Sequence, residues 1–175
     1  MQIGYYFYKT LCKITRNHQT LVKYYRKKGV SIGEKCLICS NVLTREPFMV
    51  SIGNHTTIST NVTLLTHDYS AHLVIKGSSS LFGRIMIGDN CFIGANSTIM
   101  YGVTLGNNII VGAGSVVTKS FTQENIIIAG NPAHVVGTWE GYRSKYTEVA
   151  APSMSQITYD ELYDSLKNGR YLVEK

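Results

Sequence analysis

Residues 87–122 read IGDNCF IGANST IMYGVT LGNNII VGAGSV VTKSFT, six hexads in unbroken succession. Each opens on an aliphatic residue: Ile87, Ile93, Ile99, Leu105, Val111 and Val117. The fifth column, Cys91, Ser97, Val103, Ile109, Ser115 and Phe121, is mostly small or β-branched. This beat is neither the spacing of an amphipathic helix nor the simple alternation of a half-buried strand. It predicts an all-β core, a parallel β-helix in which each hexad is one short strand plus a turn and stacked coils bury the repeated aliphatic column. Glycines in the second column, Gly88, Gly94, Gly106 and Gly112, predict corners too crowded for a side chain.

The same column runs backwards through Leu64, Ile58 and Ile52 and, after a two-residue slip in LTREPFMV, through Ile38 and Ile32. Register is lost across residues 66–86. An insertion between hexads has no room in the core, so this segment is expected to project from a corner, where binding chemistry is usually carried. Three regions result: a basic helical segment over 1–29, the repeat domain over 30–136 with its 66–86 insertion, and a C-terminal extension over 137–175.

At 175 residues and 44% apolar, the chain is long enough to bury one core with appendages. Its net charge of +6 suggests nucleic acid until the charges are located. Seven of the 17 basic residues (Lys9, Lys13, Arg16, Lys23, Arg26, Lys27, Lys28) precede the repeats, leaving ten basic against 11 acidic residues. A near-neutral prism is not a nucleic-acid groove. The N-terminal segment places Tyr5, Tyr8, Leu11, Cys12 and Thr15, then Leu21, Val22 and Tyr25, at roughly helical spacing. It predicts a basic amphipathic helix packed on the prism or on a neighbouring subunit. The alternative is peripheral attachment of residues 1–28 to an anionic membrane surface.

Lys9, Lys13 and Arg16 interrupt any run that could serve as a signal peptide or membrane span. A cytoplasmic location is therefore expected, with reduced thiols. Cys36 and Cys39 have the spacing of half a zinc site but lack a second pair, and Cys36 and Cys91 occupy the small fifth column, so core packing is expected. Near the C-terminus ITYDELYDSLKNG predicts a helix stopped by Gly169.

The repeats, together with the closing run VGAGSVVTKSFTQENIIIAGNPAHVV over 111–136, resemble the hexapeptide-repeat acyltransferases, in particular enzymes that acetylate sugars and polysaccharides. The resemblance covers about residues 30–136. It implies a left-handed β-helix with N- and C-terminal helices, a homotrimer with sites between subunits, and acetyl-CoA as co-substrate with no metal.

In that family a histidine on the loop at the middle of the prism acts as general base, and THDYS places His67 there. The chemistry calls for such a group: a sugar hydroxyl is a poor nucleophile, and an imidazole can take its proton as the oxygen attacks the thioester. Asp68 is a candidate to orient the imidazole. The resemblance puts Ala95 and Ala113 against the pantetheine arm and Thr118 and Lys119 near the nucleotide end. His134 stands where relatives carry Lys or Arg.

The acceptor is less determined. Cys39 and Pro47 occupy the places where galactoside- and maltose-type enzymes carry polar acceptor contacts, so that site does not transfer. Asn41, Arg45 and Glu46 are the candidate acceptor contacts. THDYS is similar to enzymes that decorate capsule, exopolysaccharide or lipopolysaccharide sugars, and a basic aromatic N-terminus suits a lipid-linked carbohydrate acceptor. The donor residues fit equally an acetyltransferase acting on serine, an aminosugar nucleotide or an antibiotic. From another class, His67 and His72 resemble the zinc pair of γ-class carbonic anhydrases, although a third histidine one coil away is not evident. A non-enzymatic scaffold is the remaining alternative.

Overall fold

A computed structural model describes residues 4, 6–10 and 19–173. They form two compact units that divide after Gly137.

The larger unit is a three-faced stack of coils. The first face contains β1 (Ser31–Ile32), β3 (Val50–Ile52), β8 (Ile85–Ile87) and β11 (Thr104–Leu105). The second contains β2 (Leu37–Ile38), β4 (Thr57–Ile58), β9 (Phe92–Ile93), β12 (Ile109–Val111), β14 (Ile126–Gly130) and β15 (Ala133–Thr138). The third contains β5 (Thr63–Leu64), β10 (Thr98–Ile99) and β13 (Val116–Val117). From β3 to β5 and again from β8 to β13 consecutive strands visit the faces in turn, and strands of neighbouring coils pair in parallel, as Ile52 with Ile87 and Ile58 with Ile93. This is the parallel β-helix that the hexads predict.

The aliphatic column is its interior. Ile58, Ile93, Ile99, Val111 and Val117 have no exposed surface, and Ile32, Ile38, Ile52, Leu64, Ile87 and Leu105 are also buried. Each such side chain contributes roughly 1.5–3 kcal/mol relative to exposure. The fifth column is small because its side chains thread between coils and satisfy main-chain groups there. Ser97 Oγ donates to Gly112 O at 3.0 Å, and Thr56 Oγ1 donates to Gly88 O at 2.8 Å. Cys36 and Cys91 sit in the same column, buried, with Sγ donating to Gly53 O and Gly106 O respectively.

Second-column glycines are required by proximity rather than by dihedral angle. A Cβ on Gly94 would lie 2.5 Å from Ala113 N in the next coil, and one on Gly88 would lie 2.7 Å from Gly106 C. Positive φ falls two positions later, on Lys35, His55, Asn61, Asn90, Asn96, Gly102, Asn108 and Gly114. Asparagine and glycine dominate because they tolerate the left-handed conformation that turns each corner.

The slip in LTREPFMV becomes a single 3-10 turn, Pro47–Met49, before β3. The expected insertion leaves the third face after Leu64 and returns two residues earlier than the sequence suggests, at Ile85 rather than Ile87. Ile85 is fully buried and pairs with Val50. Between these points β6 (His67–Asp68) and β7 (Leu81–Phe82) form an antiparallel hairpin carrying a short helix, Ala71–Val74.

In the N-terminal segment, helix α1 (Gln19–Lys27) packs on β1 and β2 with Leu21, Val22, Tyr24 and Tyr25 buried. Tyr25 OH donates to Ser40 O at 2.8 Å, and Arg26 reaches Ile32 O, Gly33 O and Glu34. These aromatics are therefore committed to the prism, while Lys23, Lys27 and Lys28 remain toward solvent. The helical positions at Tyr5, Leu11, Cys12 and Thr15, and the charges of Lys13 and Arg16, lie outside the described residues.

The smaller unit holds Trp139–Tyr146, capped by Thr138, and Tyr159–Lys167. The second begins in a capping box between Thr158 and Glu161 and stops before Gly169, whose φ is +75°. The sequence signals this second helix through its cap and its stop.

Candidate active site

Corners between faces stack into three edges. On the edge where the third face turns into the first, successive coils present Glu46, Thr66, Tyr101 and Lys119. The hairpin leaves from this edge, and its root carries His67.

Glu46 Oε2 is the centre of the local bonding. It accepts from Thr66 Oγ1 at 2.7 Å and lies 3.0 Å from His67 Nδ1. Burial pushes the Glu46 carboxyl up, but the hydrogen bonds from Thr66 and then His67 outweigh it and hold the group below its ordinary 4.5. An ionised carboxylate only accepts, so His67 Nδ1 carries a proton in this contact, and of the two ring nitrogens Nε2 is the one that can present a lone pair in the neutral imidazole. Phe82 lies across the hairpin pair from His67, ring centroids 5.7 Å apart. Arg45, Glu46, His67, Tyr69, Ser80 and Phe82 line a cleft of about 560 Å³.

Asp68 faces elsewhere. Its Oδ1 accepts from Ser70 N at 2.8 Å and its Oδ2 from Tyr101 OH at 3.3 Å. The Ser70 main-chain bond, more than any other influence, holds its carboxyl below 3.8. The carboxylate on the imidazole is thus Glu46, which the sequence reading placed among acceptor contacts, whereas Asp68 ties the hairpin to the next coil. Gly83 reinforces that tie: a Cβ there would lie 2.3 Å from Gly102 N.

The remaining predicted residues divide between edges. Thr118 and Lys119 are exposed on the His67 edge, with Lys119 Nζ 5.6 Å from the Phe121 ring centroid. Ala95 and Ala113 lie on the next edge, between the second and third faces, linked by Gly114 N donating to Ala95 O at 2.8 Å. Asn41 is on that edge too, in a separate cleft of about 420 Å³ with Asn61 and Thr63. His134 is exposed near the end of the prism, Nδ1 3.4 Å from Pro132 O. The chain therefore unites Arg45, Glu46 and His67 but does not bring Asn41, Ala95 or Ala113 to them. The His72 ring stacks on Tyr69 with Nδ1 toward Tyr69 O, apart from the Glu46 contact of His67. Among the described residues no three His, Cys, Asp or Glu side chains form a metal-binding group.

Residues 84–119 match the hexapeptide repeat of succinyl-transferase. Protein CapG of Staphylococcus aureus is 42% identical over 155 residues, spanning 83% of this chain and 89% of that protein. The chain belongs to the hexapeptide-repeat acetyltransferase family. Solved structures share the fold. A maltose O-acetyltransferase from Clostridium difficile 630 aligns with a TM-score of 0.52 at 23% identity, covering 75% of this chain and 84% of its own. A hexapeptide-repeat-containing acetyltransferase from Vibrio cholerae O1 biovar eltor, complexed with acetyl coenzyme A, aligns at 0.50 and 22% identity, covering 65% and 73%.

Thr66, Tyr69, Ser80, Phe82 and Tyr101 were not singled out from the sequence. Tyr69, Ser80 and Phe82 reach the His67 cleft because the hairpin folds back, Thr66 meets the same carboxylate as His67, and Tyr101, one coil above the root, meets Asp68. The slip at 43–50 was the available signal for Glu46: an interrupted hexad one coil before THDYS marks a corner whose side chains are not purely structural.

Proposed function

We propose that this enzyme transfers the acetyl group of acetyl-CoA to a sugar hydroxyl, with His67 as general base. The observation that carries the reading is the His67–Glu46 bond at 3.0 Å inside a cleft open to an acceptor. With Nδ1–H held by the carboxylate, Nε2 takes the hydroxyl proton as the oxygen attacks the thioester carbonyl. The tetrahedral intermediate then collapses, the carbon–sulfur bond breaks, and the imidazolium returns the proton to the departing thiolate. A main-chain N–H fixed at a corner supplies the donor for the oxyanion.

The donor lies along a groove between protomers of a homotrimer of left-handed β-helices. The division of candidate residues between two edges supports this. Ala95 and Ala113 of one protomer contact the pantetheine arm that reaches His67 of another, while Thr118, Lys119 and His134 hold the nucleotide end. The acceptor is a carbohydrate of a capsule, exopolysaccharide or lipopolysaccharide precursor, handled in the cytoplasm. No described helix is long and apolar enough to cross a membrane. Contact with a lipid-linked acceptor at the membrane face falls to the exposed lysines of α1, since its tyrosines are buried.

Thiol release from acetyl-CoA over a panel of sugar acceptors tests the reading. His67→Ala is expected to lower kcat by about 10²–10⁴ with the KM for acetyl-CoA little changed. Near-native turnover in that variant removes His67 from the chemistry.

A further inference from the structure

The cleft at His67 carries a charge that the acetyl transfer itself does not use. Arg45 lines it beside Glu46, the carboxylate residue of the lining. That carboxylate is engaged by Thr66 and His67. Among the described residues no hydrogen bond or ion pair engages the Arg45 guanidinium. The adjoining hairpin has one acidic residue, Asp68, which is engaged by Ser70 N and Tyr101 OH and does not line the cleft; between Asp68 and Asp89 the chain has no other, while Lys76 and Arg84 are both basic. The walls are aromatic, with Tyr69 60% and Phe82 53% exposed, flat surfaces of the kind that pack on the C–H face of a sugar ring. Ser80 adds a hydroxyl.

We propose that the acceptor is an acidic sugar, bearing a carboxylate or a phosphate, and that Arg45 selects it. The inference rests on the acetyltransferase reading of this cleft and specifies its substrate class. A guanidinium offers a planar fork of donors that matches both anions bidentately, and its charge cannot be removed by deprotonation. The aromatic walls receive the ring, Arg45 holds the anionic substituent, and a hydroxyl is left toward His67 Nε2. A neutral sugar of the same ring leaves the guanidinium without that partner and binds more weakly.

Three acceptors separate the cases: a neutral methyl hexoside, the uronic acid of the same stereochemistry, and the corresponding sugar phosphate. Binding is followed by saturation-transfer difference NMR with coenzyme A present, and turnover by thiol release. One or both acidic acceptors are expected to bind and react at least about tenfold better than the neutral one, with the preference weakening as salt is raised. Whichever acid wins identifies the anion. Arg45→Gln is expected to erase the preference through the acceptor KM, and Arg45→Lys to restore part of it. The inference is overturned if the neutral sugar binds equally well, if the preference survives Arg45→Gln, or if that variant raises the KM for acetyl-CoA instead. Selective binding without thiol release would leave Arg45 as the selector and remove the acetyl-transfer reading.

Discussion

Glu46 and His67 are 21 positions apart in the chain and 3.0 Å apart in space, joined by a contact that no local reading of THDYS would supply. The 3-10 turn at Pro47–Met49 and the departure of the hairpin after Leu64 occur on the same edge of successive coils. An irregularity in one coil thereby serves an irregularity in the next.

Replacing Glu46 separates positioning from packing. Glu46→Gln keeps the size of the side chain but can present its amide to Nδ1, which reverses the tautomer and blocks Nε2. We expect kcat to fall roughly 10- to 1,000-fold with the KM for acetyl-CoA unchanged, and Glu46→Asp to recover part of the rate. Steady-state kinetics on the two variants check this. Equal losses in both, together with a lower melting temperature, would indicate a structural role instead.

The stack itself makes a sharper demand on size. Ile93→Ala is expected to cost about 2–5 kcal/mol, since it opens a cavity in a fully buried column between Ile58 and Val111. Gly94→Ala, one residue on, adds a single carbon and is expected to cost about 1–3 kcal/mol through collision with the backbone of Ala113. Denaturant unfolding of the two variants compares them. A neutral Gly94→Ala would mean that the coils can part without penalty.

Acid should loosen the third edge of the prism. Asp89 accepts from Asn54 N at 2.7 Å and from Asn54 Nδ2, and it is the main-chain bond first and the amide second that hold its carboxyl below 3.8. A depressed native value means that these bonds stabilise the fold fully above 3.8 and are lost as the pH falls through the lower native value. Asp89→Asn is therefore expected to melt below the wild type at neutral pH, with the gap closing in strong acid. Melting temperatures recorded against pH give the answer, and a constant gap would contradict it.

Much of the fold was legible because the hexad column is a burial pattern, and burial here is repeated at every turn of the chain. Ile32 through Val117 took their expected places for that reason, as did the small fifth column. The positive-φ corners at Asn90, Asn96 and Asn108 were equally visible as a column of asparagines but were not used. The chemistry was only partly legible. His67 stands out by its position after Leu64, whereas its carboxylate partner does not. Sequence adjacency favoured Asp68, yet the strand geometry of β6 sends neighbouring side chains to opposite sides, and Asp68 is drawn to Ser70 and Tyr101. The division of Ala95 and Ala113 from His67 required knowing which corner each occupies.

Asp89 pairs with Asn107 at a separation of 18 residues, while Asn54 pairs with Asp89 at 35, and the strands Ile52 to Ile87 and Leu64 to Ile99 repeat that longer step. The extra residues are spent entirely on the hairpin, after which stacking resumes on all three faces as though nothing had intervened. Lengthening, shortening or exchanging the segment between Tyr69 and Ser80 would leave every coil's partner unchanged. One wall of the cleft, from Tyr69 to Ser80, is therefore carried by a stretch that the scaffold does not need, while Arg45 and Glu46 belong to the coils, and chimaeras that trade this segment between relatives can reshape that wall while keeping the same spine.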